Sequence, residues 1–318
     1  MPPRDARPRF RVTGVAAPIV LGFGLLLLAA CAPRVVVSPA TGITATTGAA
    51  SDAAARVHPR LSPACFATTA HPIPDRLIVR GQERLVLSHA PNGPAPEPRD
   101  LVIAFHGRTN DAARARRYFR LDGALPEAVI VYPRALPAGS GTFAWSDPGD
   151  PSDALRDFEL VEAIIAAVGQ ARCIDLQRVF VVGHSLGAYF ANDVACALAD
   201  RVRAVASVAG GLQGGACSDG TAALLIHHPK DALVPIGAGE RARDAFVAVN
   251  GLADAAATSA ADPALATLGC VRYGGDDVFD PVVWCAHDDA TWPGGRYDPH
   301  TWPDGTPAAI AAFFRHLP

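Results

Sequence analysis

Apolar residues fall into short, nearly unbroken runs, with stretches of helical spacing between them. Residues 101–105 (LVIAF), 128–132 (AVIVY), 179–182, 202–208 and 224–227 predict strands buried on both faces. Residues 76–80 (RLIVR) and 84–88 (RLVLS) predict an antiparallel hairpin turning at Gly81-Gln82. Helical patterns cover residues 112–120, 153–168, 185–199, 240–249 and 307–316. In the second of these, apolar Leu155, Phe158, Leu160, Val161, Ile164 and Ile165 suit an amphipathic helix, and Ser152 is placed to cap it. The order is a hairpin, repeated strand–helix units and a closing helix. That predicts an α/β fold, a mainly parallel sheet with helices on both faces. Residues 251–269, rich in Ala, Asp, Thr and Ser, read as a lid near the site or equally as a plain surface insertion.

One apolar run is long enough to span a membrane, residues 12–30, and Arg4, Arg7, Arg9 and Arg11 precede it. It ends in Leu28-Ala29-Ala30-Cys31, which resembles the bacterial lipobox. That resemblance implies a signal peptide over residues 1–30, a lipid on Cys31 and anchoring of the exported protein to the cell envelope. The absence of Asp at Ala32 fits outer-membrane sorting in a Gram-negative cell. An uncleaved signal anchor with an incidental Cys is the alternative. Residues 31–60, rich in Ala, Thr, Pro and Ser, read as a flexible tether, and residues 61–318 as one catalytic domain.

Composition narrows the function classes. The chain has 318 residues, 50% hydrophobic and 19% charged, so it is not a disordered segment. A net charge of -3 without a basic stripe excludes non-specific nucleic-acid binding. Cys31 aside, the cysteines are Cys65, Cys173, Cys196, Cys217, Cys270 and Cys285, an even set that predicts disulfides outside the cytosol. Cys270 and Cys285 flank two short strand-like runs, which makes them a reasonable pair, and the other pairings stay open. No Cys/His spacing points to zinc, and the chemistry below calls for no metal or organic cofactor.

Gly183-His184-Ser185-Leu186-Gly187 follows an apolar strand and opens a helix. That is the setting of a nucleophile elbow, a tight turn that projects the Ser185 hydroxyl. The backbone N–H of Leu186 then faces a developing oxyanion. The bland reading makes Ser185 the N-cap of its helix. A nucleophilic Ser needs a base, and the base an acid. Asp231 lies in a strand-end loop, where an α/β sheet places its site. Of the later histidines, His300 sits in a loop before the closing helix and is the preferred base, His287 is the alternative, and His316 reads as solvated. After the strand at 101–105, Gly107 allows close backbone approach, and the N–H of Arg108 is the second oxyanion donor. His106, His184, His227 and His228 read as packing or supporting residues. Trp145, Trp292 and Trp302 either line a substrate pocket or pack the loops, and Trp302 is favoured for the pocket because it neighbours His300.

His106-Gly107, Val131-Tyr132-Pro133, the elbow, Lys230-Asp231 with Val234-Pro235, and His300-Thr301-Trp302-Pro303 occur in that order. Together they resemble the polyhydroxybutyrate depolymerase / feruloyl esterase family of secreted α/β-hydrolases, which includes acetylxylan esterases. The resemblance runs over roughly residues 75–318. It implies the α/β-hydrolase fold, with Ser185, Asp231 and His300 as nucleophile, acid and base. It further implies hydrolysis of short-chain, hydroxyalkanoate or hydroxycinnamoyl esters through an acyl-enzyme. Departures at His227-His228 and Arg108-Thr109-Asn110 leave the ester itself open. A peptidase or lipase on the same fold, or a surface lipoprotein that keeps the fold only to bind, are the alternatives.

Overall fold

The computed structural model describes residues 59–318 except 70, 93–96, 140, 151, 152, 154, 215, 216 and 292–295. The signal peptide, Cys31 and all but the last residues of the tether lie outside the described residues, as do Ser152 and Trp292. Among the described residues, no helix is long and apolar enough to cross a membrane.

The chain runs through β1 (Arg76–Val79), β2 (Gln82–His89), β3 (Arg99–Phe105), α1 (Ala112–Phe119), α2 (Leu121–Ala124) and β4 (Val129–Pro133). A small ribbon of β5 (Leu136–Pro137) and β6 (Phe143–Ala144) leads to α3 (Arg156–Ala171), β7 (Ile174–His184) and α4 (Leu186–Ala197). Then come β8 (Ala204–Val208), β9 (Ala222–His227), α5 (Ile236–Val249), β10 (Thr258–Ser259) and α6 (Pro263–Ala266). The fold closes with β11 (Cys270–Tyr273), β12 (Val282–Ala286) and α7 (Thr306–Arg315). The main sheet has the order β1-β2-β4-β3-β7-β8-β9-β12-β11-β10. Its centre, from β4 through β12, is parallel, and the antiparallel pairs lie at the two edges.

The unbroken apolar runs have a direct cause. Alternate residues of a strand face opposite sides, and here both sides are covered. Leu101, Ile103, Phe105, Val179 and Val181 pack with α3, α4 and α5. Val102, Ala104, Phe180 and Val182 pack with α1, α2 and α7. The observed architecture is the expected α/β-hydrolase arrangement, with its antiparallel hairpin at the N-terminal edge.

Two local expectations change, and one open alternative is decided. The hairpin turns at Arg80-Gly81, because Val79 pairs with Gln82, and both turn residues have positive φ, 51° and 74°. That is the backbone twist a two-residue hairpin favours. The helix expected from residue 153 begins at Arg156, after a turn in which Asp153 bonds Asp150. Residues 251–269 form no lid. Thr258–Ser259 adds an edge strand to β11, Asp262 caps α6, and Leu265 and Leu268 are buried against α7 and its neighbours.

Disulfides join Cys65 to Cys173, Cys196 to Cys217 and Cys270 to Cys285. The last pair bridges directly opposed residues of β11 and β12, as the sequence suggests. The first ties the chain's entry into the domain to the end of α3, closing a loop with a sequence separation of 108. Long loops of this kind gain about 2–5 kcal/mol from a native disulfide.

A buried ion pair locks the hairpin to α3. Arg84 on β2 meets Asp157 at 2.5 Å, with side chains 1% and 0% exposed. Asp157 also takes a second cation from Arg156 and accepts from the backbone N–H of Ser146, while its own N–H donates to Ser146 Oγ. Asp157→Ala should therefore strand a buried guanidinium and cost about 3–5 kcal/mol in urea unfolding. The double variant Arg84→Met/Asp157→Leu should recover most of that loss. A single variant within 1 kcal/mol of wild type would show that the pair carries no structural weight.

Candidate active site

Strand β7 delivers Ser185 into a backbone conformation that side chains avoid, φ 57° and ψ -125°. Such strain costs about 1–3 kcal/mol and must be held by its surroundings. Here the Ser185 N–H donates to Val208 O on the neighbouring strand at 3.0 Å. The flanking glycines are a steric requirement. A Cβ on Gly183 would sit 2.1 Å from Gly187 O, and a Cβ on Gly187 would sit 2.1 Å from Phe105 O. Helix α4 thus lies directly on β7 and β3, with no room for a side chain at either contact.

The Ser185 hydroxyl does not cap α4. It meets His300 Nε2 at 2.8 Å, and His300 Nδ1 meets Asp231 Oδ2 at 2.6 Å. The Asp231 carboxylate accepts further bonds from the N–H groups of Leu233 and Val234. Burial raises the Asp231 pKa, but the His300 bond and these two N–H donors outweigh it and hold the acid below its ordinary range. With Asp231 ionised, Nδ1 of His300 is the donor, so Nε2 is free to take the Ser185 proton. The structure brings Ser185, His300 and Asp231 together from three loops. His287 lies apart, buried with its ring against His228.

Neutral histidines support this line. His184 Nε2 donates to His300 O at 3.0 Å, so its Nδ1 accepts from the Tyr118 hydroxyl. Burial, then the neighbouring His300, pushes the His184 pKa down to about 3. His227 Nε2 donates to Val234 O at 2.7 Å and steadies the acid loop. His106 Nε2 accepts from Ala135 N–H, which makes Nδ1 the donor to Gly107 O. Burial lowers the pKa of both, so each stays neutral and keeps its tautomer.

The loop after β3 is equally constrained. Arg108 O accepts from Phe143 N–H on β6, and Gly107 O also accepts from Asn110 N–H. A Cβ on Gly107 would lie 3.2 Å from Ser185 Cβ, so the backbone passes close to the hydroxyl. Leu186 and Arg108, which carry the two expected oxyanion donors, line the same cleft as Ser185, a cavity of about 460 Å³.

Two expected substrate contacts are corrected. Trp145 is buried between Phe105 and Phe190, with its indole N–H donating to His106 O. Trp302 is buried and stacked on Phe119 at 4.2 Å. Neither lines the cleft, because each ring fills core space beneath a loop. Tyr189, Leu233 and Arg114 line it instead. Tyr189 is foreshadowed by its place one helical turn after Ser185, and the other two carry no sequence signal.

No protein-family model matches the chain. Feruloyl esterase C of Emericella nidulans is 29% identical over 209 residues, 62% of this chain and 72% of that protein. Feruloyl esterase D of Neurospora crassa is 30% identical over 177 residues, 54% of each. Poly(3-hydroxyalkanoate) depolymerase C of Paucimonas lemoignei is 30% identical over 171 residues, 52% of this chain and 40% of that protein. The chain therefore spans about half or less of the length of the last two. Among solved structures, a Bacillus cereus carboxylesterase superposes with a TM-score of 0.52 at 12% identity, over 73% of this chain and 93% of that one. That likeness shows a shared fold.

The buried histidines set a pH dependence. In the folded state His184 protonates only near 3 and His287 only near 4, against an ordinary 6.5 when unfolded. Between those values the unfolded state binds more protons, so stability falls as pH drops from about 6.5. Each such histidine contributes about 1.4 kcal/mol per pH unit. Loss of stability by Asp231 protonation begins only below about pH 3.8, outside the range from pH 6.5 to pH 5 measured below. Urea unfolding at pH 6.5 and pH 5 should show a steep decline, shallower by one histidine's share in His287→Phe. A pH-independent stability over this range would refute the neutral buried state.

Proposed function

From a chain homologous to feruloyl esterases and poly(3-hydroxyalkanoate) depolymerases, we infer a serine carboxylic-ester hydrolase that works through an acyl-enzyme on Ser185. The observation that carries this reading is the hydrogen-bonded line from Asp231 through His300 to a Ser185 hydroxyl that caps nothing.

His300 takes the Ser185 proton as Oγ attacks the ester carbonyl. The N–H groups of Leu186 and Arg108 receive the oxyanion. The C–O bond to the alcohol breaks, and His300 returns its proton to the departing oxygen. Water then attacks the acyl-enzyme under the same base, releasing the acid and restoring the Ser185 hydroxyl. Asp231 stays ionised throughout and stabilises the imidazolium. The substrate class is a soluble short-chain, hydroxyalkanoate or hydroxycinnamoyl ester, of a size that fits the cleft. Leu186, Val234 and the exposed Leu233 offer apolar contact to the acyl group.

Three disulfides support folding outside the cytosol. Anchoring through a lipid on Cys31 rests on the apolar segment and the residues before that cysteine. In a bacterial host, the full chain should incorporate labelled palmitate, and Cys31→Ser should not. Labelling that survives Cys31→Ser would remove the anchor from this reading.

The catalytic reading is tested on p-nitrophenyl acetate and butyrate, methyl ferulate and hydroxybutyrate oligomers. Ser185→Ala should lower kcat by about 10⁴-fold or more, and Asp231→Asn by about 10⁴-fold, with unfolding curves unchanged. Wild-type protein that hydrolyses none of these esters and resists a serine-directed phosphonate would favour the binding protein instead.

A further inference from the structure

The cleft has two unlike walls. Sheet order puts β3 on one side of β7, and β8 and then β9 on the other. The segments leaving these strands therefore flank Ser185 from opposite sides. The wall from the β9 loop and the start of α4 presents Leu186, Leu233 and Val234. The wall from the β3–α1 segment presents Arg108 and Arg114, both exposed, beside Thr109 and Asn110.

Neither guanidinium has a carboxylate within 4.0 Å among the described residues. Arg116 and Arg120 of the same segment pair with Asp122 and Asp304, and Arg117, which likewise has no ion pair among the described residues, does not line the cleft. Acidic groups at the site are already engaged, Asp111 as the α1 cap that accepts from the Arg114 backbone N–H. Asp231 is buried behind His300, and Asp298 accepts from the His300 N–H and meets Arg296. Arg114 lies close enough for its charge to act on the Tyr118 hydroxyl that bonds His184. The cleft thus carries two free cations on one wall, within reach of the groups that support His300.

We propose, on the basis of the ester-hydrolase reading above, that Arg108 and Arg114 form an anion subsite and that the preferred substrate is an ester bearing a free carboxylate. A planar guanidinium binds a carboxylate through two parallel N–H···O bonds. The apolar wall then receives the uncharged part of the ester, which orients the carbonyl between Ser185 and the oxyanion donors. The backbone N–H of Arg108 serves the oxyanion while its side chain serves the anion, so a single residue couples recognition to the reacting carbonyl.

Two isosteric pairs test this, each with the charge removed and the shape kept. In 4-acetoxybenzoate and 4-acetoxybenzamide the leaving group differs. In monomethyl succinate and methyl succinamate the acyl group differs. Wild type should prefer the carboxylate in at least one pair by about tenfold in kcat/KM, carried in KM. The preference should shrink with rising salt, vanish in Arg114→Gln and survive in part in Arg114→Lys. Equal kcat/KM in both pairs, or a preference untouched by both Arg114→Gln and Arg108→Gln, would overturn the subsite while leaving the esterase standing. Turnover of neither pair by protein whose Ser185 a phosphonate labels overturns it as well. Turnover that persists in Ser185→Ala would bring down the underlying reading instead.

Discussion

The contact between α4 and the two central strands governs the rest of the site. Gly183, Gly187 and the carbonyl of Phe105 approach so closely that one Cβ would overlap a backbone oxygen. That approach forces the sharp turn at Ser185, and the turn requires a positive φ from a non-glycine residue. The strain is sustained because everything around it is packed. Both faces of β7 and β3 are covered, and the Ser185 N–H is held by the next strand. The hydroxyl is thereby lifted off the helix N-terminus, where a serine would ordinarily cap, and toward His300.

The second constraint is polar. Loops carry Asp231, His300 and the proposed oxyanion donors, and loops are mobile unless tied. Here the ties are histidines kept neutral by burial. His106 holds the β3 loop, His227 the Asp231 loop and His184 the His300 backbone, each through a ring nitrogen and a carbonyl. At His106 and His184 a neutral imidazole donates from one ring nitrogen and accepts at the other, which fixes the tautomer and ties two groups at once. The Arg84–Asp157 pair acts further out. It fixes Ser146, whose neighbour Trp145 packs under the β3 loop and bonds His106 O. These contacts link the β3 loop to the hairpin at the edge of the sheet.

These features were unequally legible in the sequence. Doubly buried strands announce themselves, because no position needs to be polar, and the elbow is readable because its glycines answer to steric contacts. Ser185, Asp231 and His300 were recognisable by loop position after strands, although only the folded chain brings them within hydrogen-bond distance. The hairpin turn was displaced by one residue because Arg80 adopts a positive φ that its identity does not advertise. Trp145 and Trp302 misled because an aromatic beside a catalytic loop looks the same in sequence whether it faces the cleft or props the loop from below. Residues 251–269 read equally as a lid or a surface insertion because their composition is that of a loop, while Leu265 and Leu268 bury themselves at the sheet edge.

The character of the cleft belongs to the same class of hidden facts. Arg108 and Arg114 are ordinary in a chain with many arginines, most of whose neighbours supply a carboxylate. What distinguishes them is geometric. They line the cleft beside β7, where Asp298 is engaged with the His300 N–H and Arg296 and Asp231 is buried behind His300. An unpaired guanidinium at a surface loses little by staying hydrated, so its presence does not stabilise the fold. Its effect appears only when a ligand excludes water and supplies the missing charge. The strained turn, the neutral histidines and the cationic wall therefore share one logic. Each spends part of the chain's stability, or forgoes a partner, at a place where a bound ester would complete the arrangement.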